Sequence, residues 1–236
     1  MKRKVRIWAI SDTHARHGYL RIPSNIDVVI HAGDESNAKA PAINYNECLN
    51  FLEWYKNLYI KHKVFVAGNH STAIGSGLIR REDIPKEIIY LQHESAVVDG
   101  LNIFGSPYTP TFGHDWAFNV PRHMLGEYWN DIPRNTDILV THGPPKGVLD
   151  LTMYDSRDGA EGNSYFQCGC KPLFEKVKLL HPKYHIFGHI HPEKECHNAG
   201  VLKIQNLKTT FMNAAVVNLD YVLNNHGHVF EIEMNK

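Results

Sequence analysis

The sequence predicts an α/β fold, built as a sandwich of two mixed sheets flanked by helices. Three observations carry that expectation. Short Val- and Ile-rich runs recur along the chain, helical spacings separate them, and hairpin signals lie close together in the second half. The 236 residues suit one domain, read as residues 1–236, and suffice to bury a large core.

The elements follow in order. VRIWAI comes after the basic start MKRK, as a signal peptide's apolar stretch would. It is only about six residues long and runs into Asp12, so it reads as a first strand. DVVIHA and KVFVAG are further strands, short enough and apolar enough to be buried on both faces. Between them Tyr45, Cys48, Leu49, Leu52 and Tyr55 recur at helix spacing. SAVVDGLNIFG reads as a hairpin turning at Asp99-Gly100. PYTPTFGHDW then reads as a long loop, and YDSRDGAEGN as another; such loops in a compact domain are commonly functional. DILVTH and YHIFGH are strands, with Leu173, Val177 and Leu180 marking a helix between them. ECHNAGVLKIQ reads as a second hairpin around Asn198-Ala199-Gly200, and HVFEIE as the last strand.

Composition narrows the function classes. There are 25 basic and 25 acidic residues, so net charge argues for no polyanion surface and no long nucleic acid partner. No apolar run has transmembrane length, and no membrane partner is expected. The four Cys form no CxxC and read as reduced thiols of a cytoplasmic protein, with Cys168 and Cys170 structural.

The chemistry sits at five strand ends. VRIWAI leads into Ser11-Asp12-Thr13-His14, DVVIHA into Gly33-Asp34, and KVFVA into Gly68-Asn69-His70. DILVT leads into His142-Gly143-Pro144-Pro145, and YHIF into Gly188-His189-Ile190-His191. Ligands of open α/β sheets bind outside the carboxyl ends of strands, so these groups should converge. Imidazoles with carboxylates suit Zn, Fe or Mn, and the lack of Cys among them argues against a structural zinc. Asp34, alone after its Gly, is the natural bridge between two ions. Each residue also has a plainer reading: Asp12 and Asp34 could be helix caps or turn formers. His31 reads as a hydrogen-bonded core residue, and His17, His62, His93 and His181 as surface. Tyr108 and Trp116 read as loop packing.

DTH, GD, GNH, THGPP and GHIH, in that order, resemble the calcineurin-like metallophosphoesterase superfamily. GSPYTPTFGHDWAFN, IPRNTDILVTHGPP, CGC and PKYHIFGHIH resemble the class of metallophosphoesterase-domain-containing proteins. The resemblance implies a four-layer α-β-β-α sandwich with two divalent metal ions (Mn, Fe, Zn or Mg, with Mn favoured). It implies Asp12, His14 and His191 on the first ion, Asp34 bridging, and Asn69, His142 and His189 on the second. His70 would be catalytic beside the phosphate rather than a ligand. His114 and Asn119, with Arg122, are candidates for substrate contact, and Asn213 for shaping the site edge and binding substrate. Much of the superfamily has Asp or Glu after GNH. Ser71 stands there instead and weakens the case for His70 as a general acid.

The implied activity is a metal-dependent phosphodiesterase in which a hydroxide at the two-metal site attacks a phosphodiester. The substrate would be a small phosphoester, a cyclic nucleotide among the candidates, and the chain a monomer or homodimer. The alternatives are a phosphomonoesterase, including a protein phosphatase, and a non-catalytic scaffold that lost its metals. GDESN and GNHS stand where protein phosphatases carry GDxxDRG and GNHE, which counts against a protein phosphatase.

Overall fold

The computed structural model describes residues 3–154, 161–193, 196, 198 and 200–234. In chain order the strands are β1 Lys4–Ile10, β2 Val28–His31, β3 His62–Phe65, β4 Ile88–Tyr90, β5 Glu94–Val98 and β6 Leu101–Ser106. They continue with β7 Thr109–Pro110, β8 Asn119–Val120, β9 Ile138–Thr141, β10 Leu151–Tyr154 and β11 Glu161–Gln167. The last four are β12 Tyr184–Phe187, β13 Gly200–Lys203, β14 Thr210–Asn213 and β15 His228–Glu233. The helices are α1 Pro41–Lys56, α2 Thr72–Gly75, α3 Leu125–Tyr128 and α4 Lys171–Leu180.

Two mixed sheets dominate. One has the order β15-β1-β2-β3-β4, and the other β13-β14-β12-β9-β6-β5. Strand alternation divides their side chains between layers. On β1, Val5, Ile7 and Ala9 face the second sheet and pack with Ile103, Ile138, Val140 and Ile186. Trp8 and Ile10 face outward, onto Phe51, Leu52 and Tyr55 of α1. On the far side Phe104, Leu139, Phe187 and Phe211 pack with Leu125, Trp129, Leu173 and Val177, under α3 and α4. The result is the α-β-β-α sandwich that the sequence predicts. Each fully buried Phe or Leu in these layers contributes about 1.5–3 kcal/mol through burial.

The helix expectation shifts. The buried stripe of α1 is Asn44, Cys48, Phe51, Leu52 and Tyr55, while Tyr45 and Leu49 are 37% and 38% exposed. Asn44 turns the helix, because its side chain bonds the carbonyls of His70 at 2.6 Å and Ala38 at 2.8 Å and the amide of Ala73 at 2.9 Å. The Asp99-Gly100 hairpin forms as β5 and β6, whereas the one placed around Asn198-Ala199-Gly200 falls partly outside the described residues. β13 pairs with β14, through a turn in which Leu207 N–H bonds Ile204 O. Asn198 accepts the N–H of Leu151 at 3.0 Å. Ala199 and residues 155–160 of the long YDSRDGAEGN loop lie outside the described residues. Among the described residues no helix is long and apolar enough to cross a membrane.

Among the remaining histidines, His181 is exposed as expected, whereas His17 is buried against Asn50 and Phe51. His62 and His93 are half-buried; His93 sits among Phe104, Tyr108, Tyr128 and Trp129. His17 and His93 can be covered because the imidazole packs on aromatic neighbours as well as hydrogen-bonding. His31 and His185 are core residues, bonded to Thr13 at 3.1 Å and Thr141 at 2.8 Å. Burial pushes both imidazoles down to about 3. The unfolded chain protonates each near its ordinary value, the folded chain only far lower. Stability should therefore fall as pH drops from about 6.5 toward 3, by about 1.4 kcal/mol per pH unit for each ring. Urea unfolding at several pH values should show that slope, and His185→Gln should remove its share. An unchanged slope in the variant would contradict this account.

Candidate metal centre

The loops after β1, β2, β3, β9 and β12 meet at one edge of the sandwich. They are stitched by the backbone: Asp12 N–H bonds Gly33 O at 2.8 Å, His14 N–H bonds Asp34 O at 3.1 Å, and Gly188 N–H bonds His142 O at 2.9 Å. Four of the residues singled out by sequence have left-handed backbones: Asp12 (φ 53°), His14 (φ 40°), Asp34 (φ 57°) and His189 (φ 69°). That geometry is costly for L-residues, and it persists where the surroundings over-determine it, which is typical of ligand-binding loops. Here it turns successive side chains toward one point.

Hydrogen bonds fix the tautomers. Nδ1 of His14 donates to Ser36 O at 3.1 Å, that of His191 to Asn218 O at 3.2 Å, and that of His142 to Ala32 O at 2.9 Å. A carbonyl only accepts, so each neutral ring carries its proton on Nδ1 and an unshared pair on Nε2. Those pairs face other acceptors. His14 Nε2 and His191 Nε2 are 3.2 Å apart, and His191 Nε2 is 3.2 Å from Asp12 Oδ1. His142 Nε2 is 2.8 Å from Asn69 Oδ1 and 3.3 Å from Asp34 Oδ1. Acceptors aimed at acceptors need a cation or a proton between them.

Asp34 stands between two such groups. Its Oδ1 faces His142, and its Oδ2 is 3.9 Å from His14 Nε2. Donor atoms within 4.8 Å of one another form three sets: Asp12, His14 and His191; Asp34, His142 and His189; and His14, Asp34 and His70. Geometry alone therefore includes His70 in a set. Burial pulls His14 and His189 down to about 3, so both are neutral donors at neutral pH. Burial opposes charge on His142 as well, but Asp34 and Asp12 outweigh it and hold that ring at about 9. Without an ion, His142 would thus keep a proton that faces Asp34.

The donor set fits divalent metal, and so does the space. A Cβ on Gly68 would strike Asp34 Oδ1, and one on Gly188 would strike Asp12 Oδ2. The two glycines let the backbone close around the carboxylates.

A cavity of about 330 Å³ opens in front of these groups. His14, Asp34, Asn69, His70, His189 and His191 form its floor, and Phe112, Trp116 and Tyr221 stand in its walls. Trp116 lies on the His70 ring, with centroids 4.3 Å apart, so it belongs to the site as well as to the loop. Tyr108 does pack within the fold, against Tyr128. Arg122 reaches the cavity edge, held by the carbonyls of Cys168 at 2.8 Å and Gly169 at 3.2 Å. Three substrate-contact candidates are not in the lining. His114 is exposed, Asn119 pairs with Thr109 at 3.3 Å, and Asn213 is buried and donates to Ile190 O at 2.8 Å. Asn213 thereby shapes the GHIH loop from behind. Sequence reading missed Glu35, which directly follows Asp34, and Asn44, Asn218 and Tyr221, which stand in no strand-end motif.

The chain resembles known proteins in sequence and in fold. A model of the calcineurin-like phosphoesterase family matches residues 5–193. Human metallophosphoesterase domain-containing protein 1 is 33% identical over 241 residues, 92% of this chain and 67% of that protein. UPF0046 protein K07C11.7 of Caenorhabditis elegans is 33% identical over 242 residues, 97% of this chain and 75% of that protein. The crystal structure of TT1561 of Thermus thermophilus shares the fold at 11% identity, with a TM-score of 0.54 and 89% of each chain covered.

Proposed function

The chain belongs to the calcineurin-like phosphoesterase family, and we propose that it is a metal-dependent phosphodiesterase acting on a small phosphodiester at a two-metal site. The single observation that carries the two-metal reading is Asp34, whose two oxygens face different imidazole groups. On this reading Asp12, His14 and His191 would hold one ion, and Asn69, His142 and His189 the other. Asp34 would serve both. When bound, the ions would supply Lewis-acid charge for activating water and neutralising phosphoryl oxygens.

The chain's own groups do the rest. His70 Nδ1 donates to Asn37 O at 2.8 Å, which leaves Nε2 facing the cavity beside His14 and Asp34. There it can hold a proton against the developing charge on a phosphoryl or leaving oxygen. Trp116 covers the other face of that ring and keeps it from swinging into bulk water. Phe112 and Tyr221 offer apolar faces to an organic arm of the substrate, which favours a diester carrying two such arms over inorganic or simple monoester phosphate. A cyclic nucleotide would meet that description, and Mn suits the mixed N and O donors.

The purified chain, stripped of metal and refilled with Mn, should cleave bis-p-nitrophenyl phosphate faster than p-nitrophenyl phosphate. Chelation should abolish both activities. Monoester cleavage alone would overturn the diester reading in favour of a phosphatase. Absence of bound metal would overturn the enzyme reading altogether.

A further inference from the structure

Glu35 follows the proposed bridging ligand directly, and its residue exposure is 0%. Its carboxylate receives two hydroxyls: Ser71 Oγ–H at 2.6 Å on Oε2 and Ser36 Oγ–H at 3.0 Å on Oε1. We propose that Glu35 is a positioning residue that sets the geometry of the metal centre by locking three of its loops to one residue. The proposal rests on the reading of this edge as a metal centre and adds to it a residue outside the ligand set.

The connections can be traced. Ser71 Oγ accepts Gly68 N–H at 2.8 Å while donating to Glu35, which closes the Gly68–Ser71 turn and fixes Asn69 and His70 within it. His70 N–H bonds Asp34 Oδ1 at 2.7 Å, so that turn also aims the carboxylate next door. Ser36, held by Glu35 on one side, offers its carbonyl to His14 Nδ1 at 3.1 Å. The backbone carbonyl of Glu35 accepts Ala15 N–H at 2.9 Å, tying down the β1 loop. Ser71 therefore does not serve His70, whose Nδ1 is held by Asn37 O. It hands the turn to a carboxylate on the neighbouring loop.

The hydroxyl directions make the residue type testable. Ser71 has one proton and an incoming donor, so its partner must accept. Ser36 Oγ lies 3.1 Å from His70 O as well and can redirect its proton there. A glutamine at position 35 could accept from Ser71 and donate to Ser36, preserving both links. An alanine preserves neither. Partners that orient metal ligands are commonly worth about 10–100-fold in metal affinity or activity.

The test is calorimetric titration of the metal-stripped full chain with Mn²⁺, which needs no substrate. Glu35→Ala should bind Mn²⁺ about 10–100-fold more weakly, and Glu35→Gln within about threefold of wild type. Wild-type affinity in Glu35→Ala would overturn the proposal. So would equal loss in Glu35→Gln, since that would mean charge rather than position. If Glu35→Ala does not fold, Ser71→Ala removes the other end of the same bond and should weaken binding in the same direction; unchanged affinity there overturns the proposal too. Should wild type bind Mn²⁺ yet cleave no phosphoester, the phosphodiesterase reading fails while this test still stands.

Discussion

Asp34→Ala should reduce phosphodiester turnover to background and cut bound Mn from two ions per chain to one or none. The expected loss is large because Asp34 is reached from both sides. Its Oδ1 faces His142 at 3.3 Å, its Oδ2 faces His14 at 3.9 Å, and its Oδ1 also accepts His70 N–H at 2.7 Å. Removal would leave His142 and His14 without the carboxylate between them and free the His70 turn. Burial resists charge on Asp34, but His142 and His70 outweigh it and keep the carboxyl well below its ordinary range, so it is ionised and available at any working pH. His70→Ala offers the contrast. It should keep both ions and lose about 10²–10⁴-fold in turnover, the range of a positioned acid or base. Elemental analysis beside the assay separates the two roles. Equal metal loss in both variants would make His70 a ligand, as its place in one donor set allows.

The strand-end pattern was legible because it couples two independent signals. A buried parallel strand reads as a Val/Ile run, and a polar cluster right after it has no reason to be there except the edge it reaches. All seven proposed ligands stand at such ends, and the structure gathers them at one edge. What periodicity cannot show is a polar residue that belongs inside. Asn44 lies in the buried stripe of α1, but its polarity led the reading to Tyr45 and Leu49. Glu35 is fully covered, yet next to Asp34 it looks like one more loop acid. His17 and His93 look like surface residues until their aromatic neighbours, distant in sequence, are known. Substrate contacts were the least legible. A loop's outward residues depend on how it folds back, and this one turned Trp116 inward and His114 out.

Gly188→Ala should disable the site as completely as losing a ligand, although glycine supplies no side chain. The added methyl would overlap Asp12 Oδ2 and Ser11 Oγ and lie 2.7 Å from Ser11 Cβ. None of these can yield easily. Asp12 is pinned by His189 N–H at 3.0 Å to each of its oxygens. Ser11 is fixed by its own N–H on Ala214 O at 2.8 Å and by Val216 N–H on its carbonyl at 3.0 Å, which join the two sheets. Either Asp12 is displaced and the first metal position is lost, or the β12 loop retreats and takes His189 and His191 with it. Overpacking of this kind costs about 1–3 kcal/mol, so the variant should still fold with a lower melting temperature. Its Mn²⁺ binding should drop by at least one ion per chain. Gly126→Ala is the matched control, since its methyl would meet only Pro172 Cβ at 3.8 Å, an ordinary contact. If Gly188→Ala bound two ions with wild-type affinity, close approach of the GHIH backbone to Asp12 would not be what holds that carboxylate in place, and its hydrogen bonds from His189 N–H would have to suffice.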